Sequence, residues 1–127
     1  EADLIVAGGN GVHNVPMLEA LARNLGAAVG ASRVAVDDGR FSRDKQIGAT
    51  GKMVSARGYI AVGISGAVQH LQGIKDCQHV IAVNRDAGAP IIGRADLSVI
   101  GDAEEVMQAL LTRIAQAREQ RELPEAP

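Results

Sequence analysis

Short apolar runs alternate with longer, mixed stretches along the chain, and most of the runs end in glycine or in polar residues that favour turns. Runs of this kind, apolar at successive positions, are typical of strands in a parallel sheet that is covered on both faces. They predict five strands, at residues 4–7, 27–31, 59–63, 79–83 and 97–100.

Two of the stretches outside the predicted strands have the periodicity of an amphipathic helix. The first predicted helix spans about residues 15–25, with Asn14 as its N-cap and Gly26 at its end. The last predicted helix follows the fifth strand, where Asp102 and Glu105 have the spacing of a capping box. Strands that alternate with helices favour an α/β fold in three layers, with a mostly parallel sheet and helices on both faces.

Other parts of the chain are polar and have no clear periodicity. Residues 34–45 predict irregular structure with at most a short helical turn, and residues 84–90 predict a connection rich in turn residues. We expect one domain at residues 1–117, followed by a charged C-terminal tail at residues 118–127 that is frayed. Because the chain starts without Met and almost directly in a strand, we expect it to be a piece of something longer or a processed form.

Composition narrows the function classes. The chain has 127 residues, of which 46% are hydrophobic and only 2% aromatic, so aliphatic side chains must fill its core. A net charge of −2 without a basic run gives no support for nucleic-acid binding. We expect neither a transmembrane helix nor a signal peptide. The single cysteine, Cys77, excludes an internal disulfide, fits a reducing compartment and gives no metal-ligand spacing.

The third strand leads through a glycine turn into a short helix, which is the geometry that presents a helix N-terminus to an anion. Ser65 is the expected N-cap, Gly66 would let the backbone approach a ligand, and Gly73 would end the helix. A phosphate or pyrophosphate would then lie against Ser65 and Gly66, with Gln69 and His70 one turn further on. The alternative is a buried turn in which the serine only caps its own helix, and the spacing leaves both open.

Two partial motifs do not reach a known consensus. Residues 48–52 resemble a fragment of a phosphate-binding loop, but too few residues separate the glycines and Met53 follows the lysine. Residues 9–11 begin like a dinucleotide fingerprint, but Asn14 occupies the position of its third glycine.

Four stretches carry a resemblance to a known family. They are residues 25–33 (LGAAVGASR), 46–52 (QIGATGK), 59–70 (YIAVGISGAVQH) and 82–86 (AVNRD). In this order they resemble the FAD-binding C-terminal domain of the electron transfer flavoprotein alpha subunit. The similarity runs from about Leu4 to about Glu105, and the second and third stretches contain strings that are specific to the family. The resemblance implies a nucleotide-binding, Rossmann-like sheet.

The resemblance also implies which residues bind FAD. Thr50 corresponds to the hydroxyl at flavin N5, His70 to the residue near the pyrimidine carbonyl, and Arg33 to the cation beside the ring. Gln46 and Gln69 correspond to polar contacts with the flavin chain and its neighbouring groups. We expect no catalytic and no metal-binding residue. The full set of expected cofactor-binding residues is Ser32, Arg33, Gln46, Thr50, Gly51, Ser65, Gly66, Gln69, His70, Asn84 and Asp102.

Several of these residues also have an ordinary structural interpretation. Arg33 could form a surface ion pair with Asp37 or Asp38. Asn84 and Asp102 are expected at the ends of the fourth and fifth strands, where they could reach the adenosine half of FAD. Asn84 could instead be a turn residue, and Asp102 could cap the last helix, either alone or together with a ligand role. The other two histidines are expected to be structural.

The chain departs from the family at two positions. The family often has arginine in the first glycine turn, where this chain has Asn10 and a shortened segment after it. The residue before Thr50 is often glutamine and here is Ala49. The phosphates would lose one cation and the flavin ring one polar contact, and both losses would change the affinity for FAD and its redox potential.

The resemblance implies an electron carrier and not an enzyme with its own substrate. Electrons would come from flavin dehydrogenases of the acyl-CoA type or related ones, and would pass to a downstream acceptor. The expected partners are the electron transfer flavoprotein beta subunit and a donor dehydrogenase, in the cytoplasm or, for a eukaryotic source, the mitochondrial matrix. The alternatives are an NAD-binding catalytic or regulatory domain and a nucleotide-binding module with a structural role only.

Overall fold

The computed structural model describes residues 3–47 and 56–120, in which five parallel strands form one sheet with the order β2-β1-β3-β4-β5. The strands are β1 (Leu4–Gly8), β2 (Ala28–Ala31), β3 (Gly58–Val62), β4 (His79–Asn84) and β5 (Leu97–Ile100). The helices are α1 (Val15–Leu25), α2 (Arg33–Asp37), α3 (Val68–Gly73), α4 (Pro90–Arg94) and α5 (Ala103–Glu119), with a 3₁₀ turn at Arg43–Lys45. The predicted α/β class, with a parallel Rossmann-like sheet, is confirmed.

The two predicted amphipathic helices begin where their capping residues indicate. Asn14 Oδ1 accepts a hydrogen bond from Met17 N at 3.0 Å, and Gly26 ends α1 in the left-handed conformation with φ 67°. At the start of α5, Asp102 Oδ2 accepts from Glu105 N at 3.1 Å. These contacts confirm the predicted caps.

Other bounds differ from the predicted ones. The segment expected to be irregular contains α2 and the 3₁₀ turn, and the turn-rich connection after β4 leads into α4, which the sequence pattern missed. Both helices have only five residues, too few to show helical periodicity. The third strand ends at Val62 because Gly63 has φ 65°, which breaks the extended chain. Helix α5 extends to Glu119. The expected boundary between the domain and its C-terminal tail, at residue 117, remains a prediction.

Side chains that alternate along the strands form two apolar layers, one on each face of the sheet. One layer packs α1, α2 and α5 against the strands and includes Leu18, Leu21 and Met107, none of which is exposed. The other layer lies under α3 and α4 and includes Tyr59 and Ile91. Helices α1, α2 and α5 therefore cover one face and α3 and α4 the other, which gives the three predicted layers.

Three glycines bring the loops after β1 and β3 into direct backbone contact. Gly9 N donates to Val62 O at 2.9 Å, and Gly11 N donates to Gly63 O at 3.0 Å. A Cβ atom on Gly9 would lie 2.5 Å from Gly63 O, and one on Gly63 would lie 2.8 Å from Gly11 Cα. The chain leaves β1 toward β2 on one side, whereas β3 lies on the other side, so this contact marks the topological switch point of the sheet.

We predict that Gly9→Ala lowers the free energy of unfolding by about 2–3 kcal/mol, because the added methyl group overlaps the backbone at Gly63. Urea denaturation measures the change. Gly93→Ala is the matched control, since a Cβ there has no neighbour within 4 Å among the described residues and Gly93 lies in α4. It should change the stability by less than about 1 kcal/mol. Equal effects of the two substitutions would show that the backbone contact is not tight.

Candidate functional site

A cavity of about 600 Å³ lies at the carboxyl ends of the strands, beside the switch point. The loops that follow all five strands contribute to its wall, which is where open parallel sheets bind their ligands. Seven of the residues predicted to bind a cofactor line it: Ser32, Arg33, Ser65, Gly66, Gln69, His70 and Asn84. The fold therefore brings together residues that are up to 52 positions apart, from Ser32 to Asn84.

Ser32 and Arg33 enter the wall at the end of β2. Ser32 is the N-cap of α2, its Oγ accepts from Ala35 N at 3.4 Å, and its backbone N donates to Gly8 O at 3.0 Å. Arg33 begins α2, and its Nε atom lies 3.4 Å from Asp37 Oδ2 with 67% of the arginine side chain exposed. The surface ion pair considered above thus exists, and Arg33 also lines the cavity. An exposed ion pair of this kind holds the Arg33 guanidinium only weakly, so the guanidinium could leave Asp37 and bind a ligand in the cavity.

The turn between β3 and α3 differs from its predicted geometry. Ala67, not Ser65, is the N-cap of α3, and no side chain in the described part of the chain caps this helix. The prediction that Ser65 caps it is therefore wrong. Ser65 is exposed on the cavity wall, and its carbonyl accepts from Ile91 N at 2.9 Å. The predicted helix end at Gly73 is confirmed.

Gly66 has a structural reason to be glycine that is independent of any ligand. Its φ is 92°, and a Cβ atom would lie 2.7 Å from Ile91 N. The turn after β3 therefore packs against the start of α4 through backbone alone. A bulkier residue at Gly66 would disturb the fold, so its effect on ligand affinity could not be separated from the loss of structure.

His70 is buried in the cavity wall next to the core. The Tyr59 hydroxyl and His70 Nε2 are hydrogen-bonded at 2.7 Å, while His70 Nδ1 has no hydrogen-bond partner among the described residues. Burial lowers the pKa of His70 from its ordinary value of 6.5 to about 4, because the charged form loses its hydration. Burial, with a smaller contribution from Cys77, raises the pKa of Tyr59 well above its ordinary value of 10.0. Both rings are therefore neutral at pH 7.

Gln46 is the second buried polar side chain with an unpaired atom. The residue is 1% exposed and forms a bridge with Ala31 at the end of β2. Its Oε1 accepts from Arg43 Nη1 at 3.0 Å, whereas its Nε2 has no hydrogen-bond partner among the described residues. An unpaired buried donor costs about 1–3 kcal/mol, so such an atom points to a missing partner. Gln46 itself does not line the cavity, but its neighbour Ile47 does.

Asn84 and Asp102 lie at the strand ends, as predicted, and both also have structural roles. Asn84 Nδ2 donates to Ile64 O at 2.8 Å, and its Oδ1 accepts from Asp86 N at 2.8 Å, which ties the loops after β3 and β4 together. Asp102 caps α5 through Oδ2, and its Oδ1 lies 3.8 Å from Arg85 Nη2. Asp102 lies between Gly101 and Ala103, which line the cavity. Each side chain keeps acceptor or donor capacity for a ligand.

Two predicted residues, Thr50 and Gly51, lie outside the described residues, as does Ala49. Their expected roles remain predictions.

The sequence interpretation missed residues that take part in the site. The sequence pattern places Tyr59 in a strand and gives it no further role, whereas in the structure it is the hydrogen-bond partner of His70. A single tyrosine in an otherwise aliphatic strand was the available signal, because a buried hydroxyl needs a partner. Arg85 lines the cavity with a largely exposed side chain. Arg40 donates to Asn10 O and Val12 O, both at 2.8 Å, and so fixes the first glycine turn. The residues are far apart in the sequence, and no sequence motif indicates this contact.

Within residues 3–47 and 56–120, no three His, Cys, Asp or Glu side chains are grouped so that they could hold a metal ion. None of the helices in that part of the chain has the length and apolar character needed to cross a membrane.

A family model and the similar proteins point to the same family. The family model described as "Electron transfer flavoprotein FAD-binding domain" matches residues 1–75. The electron transfer flavoprotein subunit alpha of Chromohalobacter salexigens is 56% identical over 121 residues, which are 95% of this chain and 29% of that protein. The mitochondrial subunit alpha of Arabidopsis thaliana is 47% identical over 120 residues, which are 92% of this chain and 33% of that protein. The chain thus spans about a third of the length of the curated relatives it matches.

We predict that His70 makes the stability of the protein depend on pH. The unfolded chain binds a proton below pH 6.5, whereas the folded chain does so only near pH 4. Stability is therefore complete above pH 6.5 and falls as the pH is lowered, by about 2 kcal/mol between pH 7 and pH 5. Urea denaturation of wild type and His70→Gln over this range measures the difference in slope.

His79→Gln is the control, because it replaces a histidine at an exposed position at the start of β4. It should keep the wild-type slope, whereas His70→Gln should be flatter. Parallel slopes for wild type and His70→Gln would show that burial does not suppress protonation of His70.

Proposed function

Because the chain belongs to the family of electron transfer flavoprotein FAD-binding domains, we propose that it binds FAD in the cavity beside the switch point and carries electrons without a substrate of its own. Bound FAD would supply reversible uptake and release of electrons. The protein would supply a preformed pocket, hydrogen bonds and charge near the flavin.

Two unpaired buried atoms, Gln46 Nε2 and His70 Nδ1, are the main support for this proposal. Buried polar atoms in folded proteins nearly always have a partner, so an unpaired one at a cavity indicates a ligand or a missing polar group. Both atoms belong to residues that the family resemblance assigns to the cofactor. His70 lines the cavity, and Gln46 precedes a residue that does.

The residues around the cavity suit the different parts of FAD. Ser65, Ser32 and the backbone near Gly66 would bind the pyrophosphate, and Asn84 and Asp102 would bind the adenosine half. Arg33, Gln69 and His70 would lie near the flavin ring and its chain, with Thr50 and Gly51 completing the site. Arg85 offers a further cation at the cavity wall, where Asn10 replaces the arginine that the family often has.

The wider role rests on the relatives, since the chain is only part of their length. A protein named subunit alpha implies another subunit, and we propose the electron transfer flavoprotein beta subunit as partner. A flavin dehydrogenase of the acyl-CoA type, or a related one, would be the electron donor. We propose a cytoplasmic location, or the mitochondrial matrix for a eukaryotic source, because bacterial relatives and relatives named mitochondrial both match.

We predict that the chain binds FAD at least tenfold more tightly than FMN, which corresponds to about 1.4 kcal/mol from the adenosine half. Fluorescence quenching of each flavin during titration with the protein measures the affinities, and competition with NADH tests the NAD-binding alternative. Equal affinity for FAD and FMN would contradict the roles of Asn84 and Asp102. Displacement of FAD by low concentrations of NADH would favour the alternative function.

Ser65→Ala tests the pyrophosphate position without touching the tight turn at Gly66. We expect about a ten- to hundredfold loss of FAD affinity, because a hydrogen bond to a charged group contributes about 1.5–3 kcal/mol. Thr112→Ala removes an exposed hydroxyl on α5 that does not line the cavity, and should leave the affinity unchanged.

We predict that Arg33→Ala lowers the redox potential of the bound flavin more than it weakens binding. A nearby positive charge favours the reduced, anionic ring, and about 1–3 kcal/mol of attraction remains after screening. For one electron this corresponds to roughly 40–130 mV. Spectroelectrochemical titration of the FAD-loaded protein, with its beta subunit if the chain alone does not retain FAD, measures the shift.

Arg57→Ala is the control, because Arg57 is an exposed arginine just before β3, at the amino ends of the strands, whereas the cavity lies at their carboxyl ends. An unchanged potential in Arg33→Ala would show that Arg33 serves only the surface ion pair with Asp37.

A further inference from the structure

Tyr59 and His70 form a buried hydrogen bond that links the core under α3 to the cavity wall. Tyr59 is 1% exposed and His70 is 4% exposed, so water cannot replace either partner. Their contact at 2.7 Å joins the hydroxyl to Nε2 of the imidazole. Among the described residues, Nε2 is the hydrogen-bond partner of this hydroxyl.

The burial of both rings decides which of them donates. Tyr59 keeps its proton, because burial raises its pKa well above 10.0. His70 is neutral at pH 7, because burial lowers its pKa to about 4, so only one ring nitrogen carries hydrogen. If that nitrogen were Nε2, Tyr59 would have to accept, and both its own proton and the lone pair of Nδ1 would lack a partner among the described residues. The Nδ1–H tautomer leaves only the Nδ1 proton unpaired, so it avoids the cost of one unsatisfied buried group, about 1–3 kcal/mol. The hydroxyl therefore donates to Nε2, and the imidazole proton lies on Nδ1.

We propose that Tyr59 is a positioning residue: by donating to Nε2 it holds His70 as the Nδ1–H tautomer, so that the cavity wall offers an uncharged hydrogen-bond donor to an oxygen acceptor of the ligand. Nδ1 has no partner among the described residues, as expected for a donor that waits for a ligand. This inference rests on the proposed flavin site and deepens it, because it names the residue that fixes the proton His70 presents to the ligand. A ligand that presented a hydrogen-bond donor to Nδ1–H would be disfavoured, because two donors cannot bond to each other. The ligand would therefore bind with an acceptor toward His70.

Tyr59 differs in this role from a core residue that only fills space. The remaining neighbours in its layer are largely aliphatic, and Phe would fill almost the same volume. Tyr59→Phe therefore removes the proton that selects the tautomer while it keeps the ring. In that variant Nε2 loses its donor, and the imidazole is free to place its proton on either nitrogen.

Long-range ¹H–¹⁵N NMR of the histidine rings in the ligand-free chain measures the tautomer directly. We expect His70 in wild type to show a protonated Nδ1 and an unprotonated Nε2, and in Tyr59→Phe to show a mixture or the Nε2–H form. His13 and His79, the other two histidines, are internal controls and should be the same in both proteins. A protonated Nε2 in wild type, or the same tautomer in Tyr59→Phe as in wild type, would overturn the proposal. If Tyr59→Phe does not fold, the wild-type spectrum alone still decides.

Addition of FAD to the same samples tests the contact with the ligand. We expect the Nδ1–H signal of His70 to shift on binding, and Tyr59→Phe to bind FAD about three- to tenfold more weakly, as for the loss of one well-aligned hydrogen bond. If fluorescence quenching shows binding but the His70 signals do not move, the donor role falls while the proposed function stands. If FAD does not bind, the proposed function falls, and the ligand-free spectrum still decides whether Tyr59 positions His70.

Discussion

The backbone contact between Gly9, Gly11 and Gly63 is the constraint on which the rest of the site depends. It joins the loops after β1 and β3 so closely that neither Gly9 nor Gly63 has room for a Cβ atom. Because the chain turns to opposite sides of the sheet at these two strands, a crevice opens above the contact. Gly66 forms a similar close contact at the start of α4, where its backbone packs against Ile91 and leaves no room for a Cβ atom. The close backbone contacts of these glycines thus shape the cavity, and polar side chains line its wall.

The polar side chains of the site fall into two groups, one that stabilises the fold and one that is left with unpaired atoms. Ser32, Asn84 and Asp102 cap a helix or tie loops together, so they stabilise the wall whether or not a ligand is present. Gln46 and His70 instead each bury one atom without a partner in the described part of the chain. Such atoms destabilise the free protein, and a ligand that satisfies them recovers that free energy. This division fits a domain whose family binds FAD.

Much of the fold followed from the sequence, whereas contacts between distant residues did not. The caps at Asn14 and Asp102 were predictable because they depend on neighbours three residues away. Helix α4 was missed, and α2 was expected as no more than a short helical turn, because five residues are too few for an apolar face to recur along a helix. Ser65 was assigned as a cap from its spacing, but the positive φ of Gly66 delays α3 to Val68. The pairing of Tyr59 with His70 needed the packing of α3 on the sheet, which no local pattern contains.

Amide NMR mapping of the chain during titration with FAD tests most directly whether the cavity beside the switch point is the flavin site. Binding there predicts that the largest shifts occur in the loops after β1, β2, β3 and β4, at residues such as Gly11, Arg33, Ser65 and Asn84. The exposed apolar residues of the edge strand β5, for example Leu97, should shift little. Saturable shifts confined to β5, or no shifts at FAD concentrations well above those of a specific complex, would contradict the account.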